Sequence, residues 1–158
     1  MASPTLTVLR PGPSTTVQDW PGRIGYWQVG VPPSGPMDDL SLRLANLAVG
    51  NAEGAPGLEA TMAGPTLGFD EATVVCVTGA PVSVTLDGVP ARQWAPIAVP
   101  EGGTFVVAGA IVTIARLADG AWWKPSTWIG KARESVVYAN PPPTRNPPIR
   151  IAIRPPAI

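Results

Sequence analysis

From residue 64 onward the chain is cut by glycine, proline and other turn residues into short apolar runs, and runs this short fit strands far better than helices. They fall at residues 64–69, 72–78, 82–86, 97–99 and 104–108. Several are rich in valine and threonine, which suit a pleated surface. Asp87-Gly88 between Leu86 and Val89 is a hairpin signal, because both turn positions need φ > 0. Residues 82–86 and 89–91 are therefore expected to pair, and Gly102-Gly103 marks the next turn. Upstream, residues 5–9 alternate polar and apolar before Pro11-Gly-Pro, which suits a strand ending in a turn. Residues 57–61 also read as strand, and there a buried Glu59 carboxylate would have to be paired. Intervals of this kind are typical of a compact barrel or sandwich.

One segment breaks the pattern. Met37, Leu40, Leu44 and Leu47 recur at three- and four-residue steps, which predicts a helix over about 37–49 with that stripe as its apolar face. Ser34 or Gly35 suits the cap, Pro36 the first turn, and Asp38 and Asp39 the positive end of the helix dipole. Asp39 and Arg43 are spaced for an i,i+4 ion pair, and Gly50-Asn51 ends the helix.

At 158 residues the chain has room for one domain with a real core. Eleven acidic residues balance eleven basic ones, so there is no basic face for nucleic acid and no polybasic attachment to a membrane. No run reaches the length of a membrane span. The start, Met-Ala-Ser-Pro-Thr, has neither a basic region nor an apolar one, which predicts a cytoplasmic protein. The lone Cys76 lies in an apolar run and is expected to be a buried, unreactive hydrophobe. Histidine is absent, which removes the usual general base and the commonest metal ligand. No metal site is expected, and chemistry here falls to carboxylates, amides, lysine or arginine.

Beyond residue 117 the composition changes. Trp122, Trp123 and Trp128 would expose a large apolar patch unless they dock, and the prolines between 140 and 148 exclude interior strands. An irregular tail is expected, except that residues 149–153 alternate as a strand able to cover an exposed edge.

Several short motifs occur in one order: residues 10–19, then Gly22-Arg-Ile-Gly-Tyr26, Pro33-Ser-Gly-Pro-Met-Asp38, Leu42-Arg-Leu-Ala-Asn46, Gly50-Asn51, Leu58-Glu59, Gly64-Pro-Thr-Leu67, Val77-Thr-Gly-Ala80 and Leu86-Asp-Gly88. Together they closely resemble the N-terminal part of the allophanate hydrolase subunit 2 family, which includes one of the subunits of bacterial 5-oxoprolinase and part of the urea carboxylase carboxyltransferase domain. The resemblance runs over residues 5–109 and implies a cyclophilin-like β-barrel. It implies a subunit of an ATP-dependent complex processing a small amide or lactam, active only with a subunit 1-like partner. This chain would bind no cofactor itself, with ATP and carboxybiotin acting through the complex. From residue 110 the family pattern is expected to stop, placing a barrel domain at 1–116 and a divergent tail at 117–158 that points to a truncated or frame-shifted gene. A regulatory module that antagonises a kinase inhibitor by protein contact is the rival expectation.

Candidate substrate-binding residues are Gln18, Asp19, Arg23, Tyr26, Ser34, Gly35, Asp38 and Asn46, and none of them is singled out as catalytic. Asp38 reads equally as a helix-dipole residue, Ser34 more as a cap, and Asn46 as a scaffold residue bonding a neighbouring loop. Asp19 precedes a turn and so has its own backbone to bond. Arg23 with Tyr26 would suit an anionic substrate.

Overall fold

The computed structural model describes residues 5–109, 112–116 and 149–152. Two antiparallel sheets enclose the core. The first takes the order β11-β1-β4-β9-β6-β7, from β1 (Thr5–Arg10), β4 (Thr66–Phe69), β6 (Ser83–Leu86), β7 (Val89–Ala91), β9 (Thr104–Ala108) and β11 (Ile149–Ala152). The second runs β2-β3-β10-β5-β8, from β2 (Ser14–Gln18), β3 (Gly57–Thr61), β5 (Thr73–Gly79), β8 (Ile97–Val99) and β10 (Val112–Arg116). Alternate side chains of both sheets meet in one core: Leu6, Val8, Leu67, Phe69, Phe105 and Val107 face Leu58, Val75, Val77, Val112 and Ile114.

The expected mainly β fold with one helix is present, but the cyclophilin-like barrel is not. Closing a sheet requires its two edges to meet. They do not: among the described residues no ladder joins β11 to β7 or β2 to β8, and both sheets stay open. Each sheet buries its apolar face against the other, which removes any need to close on itself.

The hairpin forms as the sequence predicts, with Leu86 opposite Val89 and Asp87 and Gly88 at φ 50° and 79°. Residues 149–152 pair with β1 and cover its edge. All other expectations for residues 117–158 lie outside the described residues.

The helix α1 (Asp39–Ala48) also forms, but with another cap and another buried face. Asp38, not Ser34 or Gly35, is the cap: its Oδ1 accepts the Ser41 N–H at 3.0 Å, and Ser41 Oγ donates to its Oδ2. The face turned to the second sheet is Ser41, Leu42, Ala45 and Asn46, with Val49 just beyond. Met37, Leu40, Leu44 and Leu47 point outward, between 40 and 67 % exposed. What decides this is the sheet beneath, whose outer face offers Cys76 and Ala115, small enough for Ala45 and Val49 to pack closely. Leu42, packed over Gly57, and several polar groups fill the rest of that interface. Thr78 Oγ1 donates to the Ser41 carbonyl at 2.9 Å, and Asn46 Nδ2 donates to the Ala55 carbonyl at 2.6 Å.

Candidate functional site

Strand β2 ends at Gln18, and the chain then turns sharply through Asp19, Trp20, Pro21 and Gly22. Trp20 is held by its N–H to the Gly54 carbonyl and by the Arg43 guanidinium, 4.5 Å from its ring centroid. Arg43 in turn pairs with Glu53 at 2.9 Å rather than with the expected Asp39. After the turn, Arg23 and Ser34 exchange two backbone hydrogen bonds, of 2.7 and 3.0 Å, which close residues 24–33 into a loop. Gly22 makes this approach possible: at φ 74° a Cβ on it would sit 2.0 Å from the Ser34 carbonyl oxygen and 2.6 Å from Gly35 Cα. Ser34 is thus a partner in this bridge.

The result is an open cleft of about 370 Å³ lined by Val17, Gln18, Asp19, Gly22, Arg23, Ser34 and Gly35. Five of the eight candidate residues converge on it. Three do not. Asp38 is spent on capping α1. Asn46 is completely buried, bonding the loop after the helix through the Glu53 and Ala55 carbonyls and accepting from Asn51 Nδ2 at 2.9 Å. Tyr26 stands in the 24–33 loop, where its carbonyl accepts the Val29 and Val31 N–H groups. Gly22 was missing from the candidates, although a glycine directly after Trp-Pro is a turn signal.

Asp19 is the acidic residue of the cleft lining. Burial pushes its carboxyl above the ordinary 3.8, with a hydrogen bond from its own backbone N–H acting in the opposite direction. Arg23 makes two long hydrogen bonds, 3.4 and 3.3 Å, both to the Pro32 carbonyl, so its fork keeps N–H groups to offer. Gln18 Nε2 donates to Thr16 Oγ1 at 3.0 Å, leaving its carboxamide oxygen uncommitted among the described residues. An acceptor that holds its proton above the usual range, a cation and an amide in one small cleft suit a compact, planar, polar molecule. Among the described residues no cluster of three or more Cys, Asp or Glu is placed to hold a metal ion.

Residues 29–117 match the family described as carboxyltransferase domain, subdomain A and B. The match extends past residue 110, where the pattern was expected to stop, and takes in β10 at the centre of the second sheet. The chain is 46% identical over 102 residues to urea amidolyase of Saccharomyces cerevisiae, covering 65% of this chain and 6% of that protein. It is 43% identical over 75 residues to a 5-oxoprolinase subunit of Haemophilus influenzae, covering 48% of this chain and 24% of that one. The crystal structure of Kluyveromyces lactis urea carboxylase superposes with a TM-score of 0.69 at 45% identity, over 73% of this chain and 11% of that one. The chain thus spans only a small part of the length of these relatives.

Proposed function

We propose, from the premise that this chain belongs to the carboxyltransferase domain family of subdomains A and B, that its cleft binds a small amide or lactam for an enzyme of carboxyltransferase or hydrolase type. The observation that carries this reading is the convergence of Asp19, Arg23 and Gln18 on one cleft. An amide nitrogen needs an acceptor for its N–H, and the Asp19 carboxylate is the strongest one there. Its position at the end of β2 lets it take a proton from that nitrogen, and its raised pKa makes it a better base than an ordinary aspartate. Arg23 balances negative charge on the substrate, and the Gln18 carbonyl accepts a second N–H.

Carboxybiotin delivered by a partner would supply the carboxyl group for transfer to nitrogen. Arg23 fits it, because a guanidinium bonded only at long range to one carbonyl has donors left for a carboxylate. ATP use is assigned to the partner polypeptide. Residues 1–116 form the unit that carries this role, with Ile149–Ala152 adding the edge strand of its first sheet.

The partner is a subunit 1-like polypeptide, and the outward stripe of α1 supports its docking. Met37, Leu40, Leu44 and Leu47 begin two residues after Gly35 at the cleft and present four large apolar side chains to solvent.

The test is calorimetric titration of urea and of 5-oxoproline into the full chain, alone and co-expressed with a subunit 1-like partner. Asp19→Asn and Arg23→Ala should each weaken binding about tenfold, the scale of one charge-assisted hydrogen bond. Unchanged affinity in both variants, or no binding by the wild-type complex, overturns the reading. Efficient turnover by the isolated chain overturns the need for a partner.

A further inference from the structure

We infer that Glu59 is a positioning residue for this cleft, an anchor beneath its rim; the inference rests on the cleft being the binding site. Glu59 sits mid-strand in β3, between Thr16 of β2 and Thr113 of β10, on the sheet face that α1 covers. Only 6% of it is exposed. A carboxylate in such a place must be satisfied, since an unpaired one strongly disfavours the folded chain.

Its partners are two backbone N–H groups. Met37 N donates to Oε2 at 2.8 Å and Asp38 N donates to the same oxygen at 3.3 Å. Both belong to the short segment that begins with the cleft-lining Ser34 and Gly35 and ends at the cap of α1. One oxygen on an interior strand of the sheet thus holds the segment from which the cleft rim is built. Well-packed apolar residues serve stability as well as a buried carboxylate does, and often better. What the carboxylate adds is a fixed address for two N–H groups, three residues from the Arg23–Ser34 bridge.

A residue acting through others should loosen a site it does not touch. Three variants of the full chain separate the possibilities. Glu59→Leu removes the acceptor, Glu59→Asp keeps the charge but draws the carboxylate back by one methylene, and Glu59→Gln keeps one oxygen able to accept both N–H groups. Amide hydrogen exchange is read at Met37 and Asp38, and at the Arg23 and Ser34 amides of the bridge. Urea and 5-oxoproline affinity is read alongside, with circular dichroism confirming that each variant is folded.

In Glu59→Asp and Glu59→Leu, exchange is expected to rise about tenfold at all four amides, as local opening becomes easier. Affinity is expected to fall by a similar factor, with Glu59→Gln close to wild type. If Glu59→Leu does not fold, Glu59→Asp decides the question. Faster exchange at Met37 and Asp38 with none at Arg23 and Ser34 makes Glu59 a local structural residue and overturns the inference. The exchange arm needs no substrate, so a wild-type complex that binds neither amide defeats the proposed function while the anchoring is still decided.

Discussion

Replacing Leu42 and, separately, Leu40 by alanine asks directly which face of α1 the protein buries. Leu42 has no exposed surface, and it lies so close to β3 that a Cβ on Gly57 would come within 2.8 Å of its Cδ1. Truncating a leucine enclosed in this way removes its transfer free energy and leaves a cavity, together about 3 kcal/mol. Leu40 is 59% exposed. Its truncation forfeits only the buried minority of its apolar area, about 1 kcal/mol or less at roughly 25 cal/mol per Å², and alanine's higher helix propensity offsets part of that. Urea denaturation followed by far-UV circular dichroism measures both. With a slope of about 1.5 kcal/mol per molar, the midpoint should fall by about 2 M for Leu42→Ala and by less than about 0.7 M for Leu40→Ala, with the slope unchanged. A Leu40→Ala loss equal to or greater than that of Leu42→Ala would refute the orientation of the helix, and with it the outward stripe that supports a docked partner.

Gly22→Ala should cost more than any exposed substitution in the same turn, at least about 2 kcal/mol from the left-handed backbone and the collision with Ser34 together. Hydrogen exchange should show the Arg23 and Ser34 amides losing protection, whereas preserved protection would mean that the turn tolerates a side chain. The folded Asp19 carboxyl holds its proton more tightly than the unfolded one, so Asp19 contributes a penalty that sets in as pH rises from the ordinary carboxylate range through its raised value, and persists above it. Asp19→Asn should therefore be the more stable protein near neutrality, with the advantage vanishing in acid; thermal melts from pH 3 to 7 that stay parallel would contradict this. Cys76 is fully buried, and burial pushes its thiol up from 9.0, so a thiol reagent should label it only at the rate of unfolding.

Local signals in the sequence reached as far as local physics does. Asp87-Gly88 specified its hairpin because the turn needs φ > 0 at both residues and the flanking strands twist to match. The helix was legible from periodicity, but its orientation was not. Two faces of α1 carry apolar residues, and three of its four leucines lie on the outer one, because Cys76 and Ala115 on the sheet beneath receive the small Ala45 and Val49 while Leu42 alone of the leucines packs inward, against β3. Strand β10 was not read as a strand, and because both of its faces are covered Val112, Thr113, Ile114 and Ala115 are all buried, with Thr113 the one polar residue among them. The Arg43 ion pair went to Glu53 because that carboxylate leaves the guanidinium over Trp20, a contact between residues far apart in the chain.

The site divides in the same way. The turn at Trp20-Pro-Gly, the cap-like residues before the helix and the family motifs are written locally, and the sequence alone placed Gln18, Asp19, Arg23, Ser34 and Gly35 among the candidates. Which of the eight candidates share a cleft was settled by the Arg23–Ser34 bridge, and Asp38 and Asn46 were claimed by the helix cap and the loop behind it. Sheet closure and helix facing likewise belong to the tertiary structure alone. Turns and periods depend on neighbours along the chain, whereas a cleft, an open edge and a buried face depend on which distant surfaces meet.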